Sequence, residues 1–280
     1  ITNAGELDPR AMTLMGASDK RNDDEAIGFF GSGNKYALAC LLRNNLVVKL
    51  FAGEREIKIE AKPVKFRDKA FKVIHVDGEA TSITTDTGPK WNVTDAIREF
   101  WSNALDEGDA ERAVIDTVSG DESLWGRSGV TSIYIQVNGP IEMMLEDWDK
   151  FFIPHEVPKL FEHDGDYIYD PVHTGNVANY FRRGVWCVTD RNCTPLFSYS
   201  LKEVNLPESR LISSHAAMRN IANVLKYCKN KTVAKELLKR TTNQEIAEWQ
   251  SLEYVFGDYP LYDTFKECIT EMGYQYIGMI

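Results

Sequence analysis

Two short stretches of the chain carry residue types that act on phosphate and water. The first is Gly28-Phe29-Phe30-Gly31-Ser32-Gly33-Asn34-Lys35. Glycine admits positive φ and lets a ligand oxygen approach the main chain with no Cβ in the way. Amides at the start of a following helix point into the same space, and the helix dipole favours an anion there. Lys35 adds positive charge one turn in. The second stretch is Glu99-Phe100-Trp101-Ser102-Asn103-Ala104-Leu105-Asp106. Glu99, Asn103 and Asp106 stand at i, i+4 and i+7, which is one face of a helix. An Asn oxygen can ligate Mg²⁺ without cancelling charge meant for phosphates. A carboxylate one turn earlier can hold and deprotonate a water. Taken singly, the glycines describe a structural turn and the polar stripe a solvated helix face. Taken together they describe a pocket for nucleotide phosphates, a metal ion and a water.

Of two common phosphate loops, one competes poorly and the other is excluded by what surrounds the glycines. A dinucleotide fingerprint needs a strand directly before the loop and a ribose-binding acid about twenty residues after it. Here the charged run Asp19–Glu25 precedes the loop, and no acidic residue follows until Glu54. A P-loop needs Gly-Lys-Ser/Thr, which does not follow.

The elements that must position these residues are legible from periodicity. Tyr36, Ala37, Leu38, Cys40, Leu41 and Leu42 suit a buried helix over 34–43, ended by Asn44 and Asn45. Strands are expected at Leu46–Phe51, Glu56–Ala61, Phe71–Val76 and Ala80–Thr85, the second and third with period-two alternation. A helix is expected over Trp91–Asp106, with Thr94 as N-cap and Ile97, Phe100, Trp101, Ala104 and Leu105 as its apolar side. A polar loop, Asp116–Ser128, leads to a strand at Thr131–Val137. Residues 1–27 give a strand-like start at Ile1–Asn3, a turn at Gly5, a short helical turn at Ala11–Met15 and a polar loop. After about residue 150 come strands at Arg183–Val188 and Leu196–Ser200, then helices near 209–229, 231–240, 242–254 and 261–272. No repeat or low-complexity segment is found.

The bulk properties bound the partners. At 280 residues the chain can bury a large core in two domains, taken here as 1–147 and 148–280. The net charge of −10 disfavours a general grip on nucleic acid, which is held by released counterions. Lys226, Lys229, Lys231, Lys235, Lys239 and Arg240 cluster, and read first as a solvated helix surface. Five cysteines, odd in number and without close pairs, argue for a reducing cytoplasm and against a disulfide framework; Cys187 and Cys193 flank a turn and could touch across a hairpin. His155, His163 and His173 lack zinc spacing, so no structural metal is expected. No apolar run of membrane-spanning length and no signal pattern occurs. The chain opens on Ile1 rather than Met, consistent with a start that is missing or processed.

The two stretches resemble the motifs of the GHKL superfamily of ATPases, built on the Bergerat fold. Arg98–Asp106 looks like its N-box, Glu-x-x-x-Asn-x-x-Asp/Ala, and the glycines look like its Gly-x-x-Gly-x-Gly box, with Phe30 before the second Gly. Lys35 and Gly16-Ala-Ser-Asp-Lys20 look especially like the MORC branch, and similar proteins occur in phages and bacteria. The match covers about residues 1–140 and departs from the pattern in two ways. The family's adenine box is Asp-x-Gly-x-Gly, and here Asn3-Ala-Gly5-Glu-Leu7 stands in its place: Asn3 keeps an acceptor but not the charge, and Leu7 replaces the second glycine. The order is also inverted, since the glycine loop precedes the N-box by about 65 residues. That reads as a circular permutation, tolerated where termini lie close together; the rival is a true N-box upstream of Ile1.

The resemblance implies an α+β protein: a Bergerat-type α/β sandwich with a mixed sheet and helices on one face, circularly permuted, followed by a second α/β domain of transducer type with a helical C-terminal part. It implies Mg²⁺-dependent ATP hydrolysis driving a clamp or homodimer against an unidentified macromolecular client, in the cytoplasm of the cell or of a phage host. Glu99 would be the general base and Asn103 the Mg²⁺ ligand. Asn3, Gly5 and Asp106 would lie near the nucleoside. Gly28, Gly31, Ser32, Gly33, Asn34 and Lys35 would hold phosphates. The Asp19–Glu25 loop would be the lid, with Lys20 near the terminal phosphate, and Ser18 would also bind the nucleotide. Thr81 or Thr84 would support the adenine box, although ordinary strand threonines explain both equally well. The alternatives are a nucleotide-gated scaffold without appreciable hydrolysis, which the altered adenine box favours, and a histidine kinase, which lacks a phosphoacceptor His ahead of the ATP domain. A DNA-repair or topoisomerase role predicts a basic groove.

Overall fold

The computed structural model describes residues 1–14, 27, 32–115, 125–172, 178–190, 193–202, 214–240, 246–256 and 263–273. The chain is α+β and divides into two compact units, Ile1–Glu146 and Asp147–Ile280.

In the first unit, the strands β1 (Thr2–Ala4), β2 (Val48–Ala52), β3 (Arg55–Ile57) and β7 (Val130–Ile135) form a sheet in the order β1-β7-β2-β3. A second sheet is a meander of β4 (Ile59–Phe66), β5 (Lys69–Val76) and β6 (Glu79–Thr84). The helices are α1 (Arg10–Thr13), α2 (Gly33–Arg43), α3 (Val93–Glu107) and α4 (Gly139–Glu146). Every described strand pair in this unit is antiparallel, which corrects the expected mixed sheet. A tight hairpin joins β2 to β3, and β7 runs antiparallel to both β1 and β2, so no crossover helix is needed.

The single strand expected over Glu56–Ala61 is two strands in two sheets. The break falls at Lys58, whose N–H donates to Asp77 Oδ1 at 2.9 Å and whose carbonyl accepts from Asp77 N at 2.8 Å. Asp77 holds φ +50° at the β5–β6 turn, so the turn claims both backbone groups of Lys58 and directs the chain into the second sheet. Beyond the break β4 continues to Phe66 through Pro63. A proline is tolerated there because β4 is an edge strand.

Helix α3 is capped by Asn92, not Thr94. The Asn92 side chain accepts from Asp95 N at 3.0 Å, and Asp95 Oδ2 accepts from Asn92 N at 3.1 Å, a reciprocal capping box. The buried stripe of α3 is also rotated from the expected one. Leu105 is exposed, whereas Arg98, Glu99 and Ser102 are buried with Ala96, Ile97, Phe100 and Ala104. Within the polar stripe Glu99 is thus buried, and Asn103 and Asp106 are half-buried.

The second unit holds a five-stranded sheet ordered β11-β10-β12-β9-β8. Its strands are β8 (Lys159–His163), β9 (Asp166–Tyr169), β10 (Ala178–Arg182), β11 (Val185–Asp190) and β12 (Ser198–Ser200). Among the described strands only β10 and β12 pair in parallel, so a mixed sheet lies in this unit. Helices α5 (Ser214–Lys226), α6 (Lys231–Leu238), α7 (Ala247–Phe256) and α8 (Asp263–Glu271) follow. The core joins Tyr180, Tyr199 and Leu201 of the sheet region to Ile221, Leu225, Leu237 and Phe265 of the helices. All five cysteines are buried. The basic cluster is partly neutralised: Lys231 and Lys235 pair with Glu271 at 2.7 and 2.6 Å, and Lys239 with Glu236 at 2.5 Å. Among the described residues no helix is long and apolar enough to cross a membrane.

Candidate functional site

The two stretches separated in sequence meet in the first unit, residue against residue. Glu99 is 5% exposed, and its carboxylate lies against Gly33, the first residue of α2. A Cβ on Gly33 would stand 1.9 Å from Glu99 Oε1 and 2.3 Å from Cδ, so any other residue there requires the carboxylate to move. One turn along α3, Asn103 Nδ2 donates to Asn34 Oδ1 at 2.8 Å, and also reaches the Glu99 carbonyl at 2.9 Å and Oε1 at 3.0 Å. A further turn along, Asp106 Oδ1 accepts from the backbone N–H of Ile27 at 2.7 Å. The i, i+4, i+7 stripe therefore meets Gly33 and Asn34 at one end and Ile27 at the other. Its carboxylate stands at the α2 N-terminus, where the helix dipole favours negative charge.

Local chemistry fixes this approach from both ends. At its C-terminus α2 presents Arg43, whose guanidinium donates to the carbonyls of Thr85 (2.7 Å), Thr87 (3.1 Å), Gly88 (3.2 Å) and Trp91 (3.0 Å). Cys40 Sγ also donates to Trp91 O at 3.3 Å, and the Tyr36 and Trp91 rings meet edge-to-face at 5.6 Å. These bonds hold the segment that ends in the Asn92 cap, and so they set where α3 starts relative to α2. Sequence reasoning missed Arg43. Its signal was a lone cation in the last turn of a buried helix, a place where a guanidinium can satisfy several carbonyls.

The remaining predicted site residues are placed as follows. Ser32 is buried and precedes α2, its carbonyl accepting from the amides of Lys35 and Tyr36. Lys35 is 2% exposed, and burial lowers its ammonium pKa. Asn3 lies in β1, paired with Thr131 of β7, and its amide donates to Ala4 O at 2.7 Å. Gly5 turns the chain at φ +80°, and its N–H donates to Gly129 O at 2.9 Å. The hydroxyl that braces this turn belongs to Thr131: it donates to Gly5 O at 2.8 Å and accepts from Leu7 N at 2.9 Å. Thr84 lies in the other sheet, with its amide directed to Thr87 Oγ1, and Thr81 Oγ1 donates to Ile74 O. Ser18, Lys20, Gly28, Gly31 and the Asp19–Glu25 segment lie outside the described residues.

The donor set suits phosphate and a hard cation. Among the described residues no hydrogen bond engages Asn103 Oδ1, while the nitrogen of the same amide bonds the Glu99 carboxylate. No cluster of three or more His, Cys, Asp or Glu able to hold a metal by itself occurs among the described residues. An ion such as Mg²⁺, which keeps waters and takes most of its other ligands from phosphate, needs no such cluster. Comparison of the chain with protein-family models, with curated proteins and with solved structures found no match in any of the three.

Proposed function

We propose that the first unit is a Mg²⁺-dependent ATPase of GHKL type, with the Bergerat motifs in circularly permuted order. The supporting observation is the meeting of Glu99 with Gly33 and of Asn103 with Asn34 across more than sixty residues of chain. In this reading the α2 N-terminus, Ser32, Gly33 and Lys35 receive phosphate oxygens. The buried Lys35 supplies positive charge where water is scarce and charge interactions are strong. Asn103 Oδ1 would hold Mg²⁺, which when bound offsets charge on the phosphates. Glu99 orients and deprotonates the attacking water, and Asn103 Nδ2 keeps its carboxylate turned inward. Asp106 tethers Ile27 and so fixes where the glycine loop begins. The Asn3–Leu7 turn, braced by Thr131, lies toward the nucleoside. Nucleotide would close a clamp or bring two copies together.

The test is a pair of measurements on wild type and Glu99→Ala: ATP binding with Mg²⁺, and phosphate release under single-turnover conditions. The variant is expected to bind ATP and to turn it over at least ~10-fold more slowly, since a general base contributes ~10²–10⁴-fold. Equal turnover rejects the base assignment. Binding without hydrolysis in the wild type selects the scaffold alternative. Absence of binding overturns the reading altogether.

A further inference from the structure

The outer half of the β4–β5 hairpin differs in charge from the rest of the molecule. Residues 62–72 include Lys62, Lys65, Arg67, Lys69 and Lys72 against the single carboxylate of Asp68, a net +4 in a chain of net −10. All six are exposed. Among the described residues, no carboxylate lies within ion-pair distance of Lys65, Arg67, Lys69 or Lys72; only Lys62 is paired, with Glu60 at 2.8 Å. Like charges crowded this way repel one another.

The hairpin's shape is as unusual as its charge. Strand β6 pairs with β5 only as far as Val73 and Thr84, with one more bond from Thr85 N to Lys72 O. Beyond that point β4 and β5 form a two-stranded ribbon reaching ~17 Å outward at the usual rise per residue. The register pairs Lys62 with Val73, Val64 with Phe71 and Phe66 with Lys69 on one face, and Pro63 with Lys72 and Lys65 with Ala70 on the other. Lysines therefore flank both faces. Phe66 is 64% and Val64 43% exposed near the tip, with the Arg67 guanidinium 5.5 Å from the Phe66 ring centroid.

We infer that this ribbon is a docking element for duplex DNA, entering the major groove tip first. A two-stranded ribbon fits a groove ~12 Å wide and ~8.5 Å deep. A groove presents phosphates on both walls, which answers cations on both faces of the ribbon; a single strand lying on one face engages half of them. Phe66 at the tip meets base edges and thymine methyl groups. A lipid surface fits less well, because immersing Phe66 end-on carries the Arg67-Asp68 apex into the apolar layer with it. Double-stranded RNA fits less well because its major groove is deep and narrow. The inference rests on the hairpin alone and is independent of the ATPase reading.

The experiment is fluorescence anisotropy of a labelled mixed-sequence 25-bp DNA duplex with the full chain, without nucleotide, from 50 to 200 mM salt. Four phosphate contacts predict a log–log slope of about −3.6, or ~100-fold weaker binding across that range. The Lys62→Ala/Lys65→Ala/Lys69→Ala/Lys72→Ala variant, with its circular dichroism unchanged, should lose that slope and bind at least ~100-fold more weakly at 50 mM salt. Phe66→Ala should weaken binding several-fold and leave the slope as it was. The inference is overturned if the wild type does not bind, if the four-lysine variant binds as the wild type does, or if single-stranded DNA, duplex RNA or vesicles containing phosphatidylserine bind equally well or better.

Discussion

Replacing Gly33 with Ala tests whether Glu99 sits where the site requires it. The added Cβ would lie 1.9 Å from Oε1 and 2.8 Å from Oε2. Ordinary contact is near 3.4 Å, so the carboxylate must retreat by about 1.5 Å. It cannot do so freely, because it is buried and bonded to Asn103 Nδ2. Overfilling a packed site costs ~1–3 kcal/mol. Against this, Gly→Ala at a helical position with ordinary φ gains ~0.4–1 kcal/mol. Gly33→Ala alone should therefore destabilise the protein by ~1–2 kcal/mol and depress ATP turnover by moving the base. In a Glu99→Ala background the obstacle is gone, and the same substitution should stabilise by ~0.4–1 kcal/mol. The assay is urea unfolding of the four proteins of the cycle, comparing midpoints at unchanged slope. A reversal of sign is the expected result. If Gly33→Ala has the same effect in both backgrounds to within ~0.5 kcal/mol, the carboxylate is not against the α2 N-terminus and the site as described does not exist.

Two further predictions concern buried groups, one inside each unit. Glu248 is fully buried, and Oε1 accepts three bonds, from Leu196 N (2.8 Å), Phe197 N (3.2 Å) and Tyr199 Oη (2.9 Å), while among the described residues Oε2 has no hydrogen-bond partner. Burial pushes its carboxyl up to about 7. A folded-state value above the unfolded one gives stability that is fully present below pH ~4.5 and is lost as pH rises through ~7, by about 3 kcal/mol for this shift. Glu248→Gln keeps the acceptor and removes the titration, so it should match wild type at pH 4.5, exceed it by ~2–3 kcal/mol at pH 8, and flatten urea stability measured across that window. Lysine brings three donors to four carbonyls, so Arg43→Lys leaves at least one of them unpaired. It should cost ~1–3 kcal/mol and raise hydrogen exchange in the segment from Thr85 to Trp91, with weaker ATP binding because α3 is no longer held in place.

Much of the local structure was legible because it obeys rules that act over a few residues. Helix α2, the alternating β5 and the i, i+4, i+7 stripe of α3 follow from side-chain period alone. The errors share one cause. Thr94 was expected as cap because its type suits the role, but Asn92 has Asp95 three residues on to complete the reciprocal pair. The strand expected at Glu56–Ala61 alternates correctly throughout, yet it is divided between two sheets because Asp77, nineteen residues away, takes both backbone groups of Lys58. The hairpin ribbon gave no signal as a site, because its cations are unremarkable until the register shows them on both faces of an element without a third strand.

The amino-acid sequence by itself determined which residues could do chemistry and on what kind of element they stand, since residue type and helical period are properties of neighbours in the chain. It did not determine that Glu99 meets Gly33, that Asn103 meets Asn34, that Asp106 holds Ile27, or that Thr131 rather than Thr84 braces the Gly5 turn. Those meetings depend on how α2 and α3 pack and on β7 inserting between β1 and β2. They are long-range contacts selected by burial and backbone pairing across the whole unit, and no window of neighbouring residues contains the terms that choose them.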